Sequence, residues 1–159
     1  MCSGAPQNLR TTQLKDSALR DSIVKYASTP MLVMTKFPEP FEDLNPSFKV
    51  NIRPLGNLKG KTPTELLDLI LPPFRSALKD FELVQPPTEV KVSGIPSGYA
   101  RMNFVVQSPN GDAFPTTSEL WIVPRGDYFF MIGAGTRQDE KTGSRREIQS
   151  IIRSVKIQK

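Results

Sequence analysis

The sequence predicts an α+β domain in which a curved, mostly antiparallel sheet carries helices packed on it. Three observations lead there. Three strand-like runs separated by turns occupy much of residues 94–137, a capped helix and a short terminal strand follow them, and a second capped helical stretch precedes them. At 159 residues and 38% hydrophobic, the chain is long enough for one ordinary core, so a single domain over residues 13–159 is expected behind a polar tail or tether at 1–12.

Asp16 can cap a helix over residues 16–27, where Leu19, Ile23 and Tyr26 recur at helical spacing until Ser28-Thr29-Pro30 breaks the pattern. Residues 31–37 read as a strand. Pro38, Pro40 and Asn45-Pro46 then make a loop, and Phe48, Val50 and Ile52 alternate with Lys49, Asn51 and Arg53 as a half-buried strand does. Thr62-Pro63-Thr64-Glu65 combines a cap, a preset φ and a carboxylate three residues on, which starts a helix. Leu67, Ile70, Leu71, Phe74, Leu78 and Phe81 continue one apolar stripe, but Pro72-Pro73 removes two donors, so two short helices are expected, the second restarting on the prolines.

Pro86-Pro87 reads as a linker before a strand at Val90 and Val92, and Gly94-Ile95-Pro96-Ser97-Gly98 reads as the next turn. Over residues 99–107 Ala100, Met102, Phe104 and Val106 share one face, and Tyr99, Arg101, Asn103 and Gln107 the other. Ser108-Pro109-Asn110-Gly111-Asp112 has hairpin chemistry and leads into a strand over 117–123. After a turn at Arg125-Gly126-Asp127, residues 128–132 are apolar on both faces, which predicts the centre of the sheet. The Arg-Gly-Asp tripeptide is explained by that turn, without an adhesion role. Gly133-Ala134-Gly135-Thr136 lacks a phosphate loop's glycine pattern and Lys-Ser/Thr pair, and reads as a strand end. Ser144 and Glu147 form a capping box for a last helix with Ile148, Ile151, Ile152 and Val155 inward and Arg146, Ser150 and Arg153 outward.

Composition excludes chemistry. With one Cys and no His there is no intrachain disulfide, no Cys/His zinc site and no His-based nucleophile pair. The net charge of +5 comes from mixed signs, so nucleic acid is not indicated, and no apolar run reaches membrane-spanning length. Residues 137–159 form the most basic stretch, with seven cations against three acids. Cys2 has two readings: an N-terminal thiol with no mechanism attached, or, since Ser3-Gly4-Ala5-Pro6 resembles the flexible tether behind a lipidated Cys, the first residue of a mature bacterial lipoprotein whose leader Met1 replaces. A leader upstream of Cys2 would place the chain in the periplasm or envelope, and its absence in the cytoplasm.

The capped helical stretch, Val90-Lys91-Val92-Ser93-Gly94, the meander ending in Asp127-Tyr128-Phe129-Phe130, and Glu147-Ile148-Gln149-Ser150-Ile151-Ile152-Arg153-Ser154-Val155 together resemble the PsbP-like fold superfamily. Its members include the extrinsic photosystem II protein, bacterial lipoproteins and a nuclear-import factor that binds the GTPase Ran. The likeness covers residues 31–157 and is architectural. It implies an α/β/α sandwich and a binding or assembly role, and it assigns no site residue.

The expected function is therefore a non-catalytic protein-binding or assembly factor, with Arg146 and Arg153 as partner-binding residues, Cys2 as the lipidation site, an unidentified protein partner and no cofactor. A small-ligand carrier is the alternative. A carboxylate-dependent hydrolase would have to draw on Glu39, Glu42 and Asp43, or on Asp139 and Glu140, the local acidic clusters, and would need one carboxyl of raised pKa in an apolar cleft.

Overall fold

A computed structural model describes residues 30–158. The helix expected over 16–27, the tail at 1–12 and Cys2 lie outside them. Six strands form one sheet: β1 (Pro30–Thr35), β2 (Ser47–Pro54), β3 (Lys79–Val92), β4 (Ile95–Gln107), β5 (Ala113–Arg125) and β6 (Tyr128–Arg137). Their order is β1-β2-β6-β5-β4-β3, and all five pairings are antiparallel. Helix α1 (Pro63–Ala77) packs on one face and α2 (Arg145–Ser154) on the other, with a short 3-10 turn at Gly56–Leu58.

Two cores result, because a strand's alternate side chains point to opposite faces. On the α1 side Ala100 and Met102 of β4, Leu120 and Ile122 of β5 and Phe129 of β6 meet Leu66, Leu67 and Leu71. On the α2 side Phe48, Trp121, Val123, Ile132 and Ala134 meet Ile148 and Ile152. Strands β5 and β6 are therefore apolar on both faces and central, as the run 128–132 predicts. Gly133–Thr136 forms the C-terminal part of β6, as expected of a strand end, with Gly133 to Gly135 still paired to both β2 and β5.

Both capping boxes form. The Thr62 hydroxyl accepts from the Glu65 amide at 3.2 Å while the Glu65 carboxylate accepts from the Thr62 amide at 2.7 Å, and Ser144 with Glu147 repeats the arrangement at 3.3 and 2.8 Å.

Three proline or turn expectations are corrected. Helix α1 runs unbroken through Pro72 and Pro73. Both are exposed, and so are Asp68 and Leu69, whose carbonyls lose the two amide donors, so water serves those oxygens. A cost of roughly 3 kcal/mol for each proline is offset by burial of Leu66, Leu67 and Leu71, at about 2 kcal/mol each. Pro86-Pro87 is no linker. It lies inside β3, an edge strand where a missing donor faces solvent, and the pairing register breaks between Gln85 and Thr88 around it. The turn before β4 is only Ser93-Gly94, both with positive φ, and Ile95 already pairs with Val92. Phe81 accordingly belongs to β3 and not to the helix.

The terminal strand is also absent: residues 155–158 are irregular, held where the Ile157 amide donates to Ser93 Oγ at 2.9 Å and Arg125 donates to the Gln158 carbonyl at 3.0 Å.

Helix α1 lies against β4 at Gly98, where an added Cβ would stand 2.8 Å from the Pro63 carbonyl oxygen and 2.9 Å from Leu67 Cδ1. The obstruction includes helix backbone, so the contact cannot relax by one rotamer. Gly98→Ala is expected to cost about 1–3 kcal/mol in chemical denaturation, the range of an overpacked core.

Candidate functional site

The candidate site is α2 and the sheet face beneath it, where the chain's unusual polar chemistry gathers. Glu119 lies mid-strand in β5 on the same face as Trp121 and Val123, and it is 1% exposed. Its Oε1 accepts from the Tyr99 hydroxyl at 2.6 Å, from Gln149 Nε2 at 3.0 Å and from an Arg145 terminal nitrogen at 3.1 Å. Tyr99 comes from β4, opposite Trp121, and its ring tilts against the indole with centroids 5.2 Å apart. Arg145 and Gln149 stand one turn apart on α2 and reach the same carboxylate. A buried charge is tolerated when it is paired and hydrogen-bonded, and three donors do that here.

Burial, and then the Glu119 carboxylate beside it, pushes the Tyr99 phenol up to about 12. Burial pulls the Arg145 guanidinium down, but Glu119 and Tyr99 outweigh it, so the net shift is upward and the ion pair persists.

A pocket of about 250 Å³ opens beside this cluster, between α2 and the β3–β5 part of the sheet. On the other flank of α2 a groove of about 250 Å³ runs along β1 and β2, floored by Met34, Phe48, Ile148 and Ile151. The Lys36–Glu147 ion pair closes one rim at 2.8 Å, and burial counts for less there than the lysine and the cap in holding the Glu147 carboxyl below its usual range.

Arg146 and Arg153 are both exposed on the outer stripe of α2, as their spacing predicts. They do not join the buried cluster. Two other cations of this end are neutralised: Arg137 by Asp43 and Asp139, Arg145 by Glu119.

The two acidic clusters converge, on a cation. Asp43 and Asp139 each lie 2.6 Å from a different terminal nitrogen of Arg137, whose guanidinium sits over the Phe114 ring at 5.9 Å. Arg137 lowers the pKa of both, that of Asp139 to about 2, the reverse of what a general acid needs. Glu39 is spent on the loop, accepting from Asn45 Nδ2 and the Phe41 amide, and Glu140 accepts from the Arg145 amide. Among the described residues no group of three acids or Cys forms a metal-holding cluster, and no helix is long and apolar enough to cross a membrane.

The sequence reading missed Glu119. One signal was present: a lone acid on the face of a strand that otherwise carries Trp121 and Val123.

Glu119→Ala would strand three donors and is expected to cost about 2–4 kcal/mol, toward the lower end because the Arg145 side chain is 35% exposed. Tyr99 should ionise near pH 12, a step that Tyr99→Phe removes from the tyrosinate absorbance. Because its folded pKa lies above the ordinary value near 10, its stabilising contribution is complete below pH 10 and is lost as pH rises toward 12, which alkaline unfolding reads out.

No known family profile matches the chain, and no curated protein matches it. Solved structures do. PA94, a protein of unknown function from Pseudomonas aeruginosa, superposes with a TM-score of 0.61 at 9% identity, covering 80% of this chain and 83% of that one. LpqN, involved in cell envelope biogenesis of Mycobacterium tuberculosis, aligns at 14% identity and a TM-score of 0.48, over 75% of this chain and 65% of its own. What the chain shares with PA94 is the fold: one antiparallel sheet between helices, in a single α+β domain.

Proposed function

We propose that the protein is a non-catalytic binding factor of the PsbP-like class that holds an acidic protein partner on the outer face of α2. The observation that carries this reading is a contrast in pairing. Arg137 and Arg145 are matched by carboxylates, whereas Arg146 and Arg153, two turns apart and exposed, have no acid within ion-pair distance among the described residues. Unmatched surface cations on a rigid helix steer and orient an acidic surface, and they add more to association rate and specificity than to fold stability.

The carboxylates support the non-catalytic half of the reading. Asp43 and Asp139 are held ionised by Arg137, and Glu119 is consumed by its three donors. The small residues after Cys2 suit a tether, so a lipid on Cys2 would present this face from a membrane surface.

Reversing both charges with Arg146→Glu and Arg153→Glu should leave the thermal midpoint unchanged and abolish capture of an acidic partner from native extract at low salt. Wild-type capture should itself fall as salt is raised, since exposed charges are screened over about 10 Å at 0.1 M. Retention of the same partner at equal strength by the double variant would sink the proposal.

A further inference from the structure

We propose that the pocket beside the Glu119 cluster is a binding site for a small organic carboxylate. Two arginines contribute to its wall, Arg101 from β4 and Arg145 from α2, together with Gln149, Tyr99, Trp121 and Val90. Among the described residues no acid lines the pocket, and Glu119, bonded to its wall, is already engaged. Glu119 spends its Oε1 on Tyr99, Gln149 and a single terminal nitrogen of Arg145. Arg145 Nε is buried and has no hydrogen-bond partner within the protein. Arg101 is half-buried, stands opposite Glu119 in the β4–β5 register, and makes no ion pair with it. The site thus offers two guanidinium groups against one carboxylate, which leaves room for one further negative charge.

The chemistry of the wall selects the class of anion. Guanidinium groups match a planar carboxylate through paired donors. Trp121, Tyr99 and Val90 supply an apolar side for the body of the ligand, so a carboxylate attached to a ring or short chain fits better than a bare one. At about 250 Å³ the pocket is sized for a small acid rather than a large cofactor. This inference goes beyond the partner surface: it concerns the flank of α2 and needs neither Arg146 nor Arg153.

Trp121 is the chain's single tryptophan, so the pocket carries its own reporter. Full-length protein is titrated with sodium benzoate and with sodium acetate at constant ionic strength in chloride, following Trp121 emission and the Arg145 Nε–H resonance. Both signals should change saturably, benzoate binding more tightly than acetate. Arg101→Gln should weaken benzoate at least about tenfold, the loss of one charge-assisted contact. Arg101→Lys keeps the charge without the fork and should also weaken it, and Lys156→Gln, at an exposed cation given no role, should bind as wild type does. Non-saturating signals, an Arg101→Gln variant that binds normally, or equal losses in Arg101→Gln and Lys156→Gln would each overturn the assignment, the last by showing diffuse attraction to a cationic surface.

Discussion

The buried carboxylate of Glu119 is the constraint around which the molecule is arranged. A sheet whose central strands are apolar on both faces must be covered twice, and α1 does this on its side mainly by apolar contact. The cover on the other side is short. Helix α2 has ten residues, of which only Ile148 and Ile152 are buried, too little apolar surface to set its position uniquely. Glu119 supplies what the isoleucines lack, because Arg145 and Gln149 can satisfy it only with α2 in one rotation and one place along the sheet. The capping box at Ser144 and Glu147 fixes where that helix begins, and the Lys36–Glu147 pair ties the same turn to the chain just after β1.

Much of this was legible in the residues. Period-2 alternation in Ala100, Met102 and Phe104, the double-sided run Tyr128 to Ile132, and the two boxes Thr62/Glu65 and Ser144/Glu147 are local signals, and local physics decides them. The prolines were harder, because their effect depends on which way the missing donor faces. Pro72-Pro73 is tolerated on the wet side of α1, and Pro86-Pro87 is absorbed by a register break on an outermost strand; neither orientation can be read before the tertiary fold is known. Residues 155–158 look like a strand by composition, yet they are held only by single bonds to Ser93 and Arg125 and pair with no strand.

The site followed the same division. Arg146 and Arg153 lie outward because helical spacing alone dictates it. The Glu119 cluster joins residues 99, 119, 145 and 149 from three elements, so no spacing in the sequence could announce it. The acidic loops show the converse: Asp43 and Asp139 look like candidates for shared chemistry and do come together, but around Arg137, as a clasp between two loops.

The strand order has a consequence for how the chain reaches this state. Among the described residues the first strands made are β1 and β2, and β2 sits beside β6, the last one: Ser47 pairs with Gly135 and Pro54 with Tyr128. A nascent chain therefore holds its leading hairpin without a neighbour until nearly all of the remaining sequence has emerged, while β3 through β6 can zip successively through short turns. Closing that long loop is an entropic step the meander cannot shorten, which makes attachment of the β1–β2 hairpin the natural late event in assembly of the sheet.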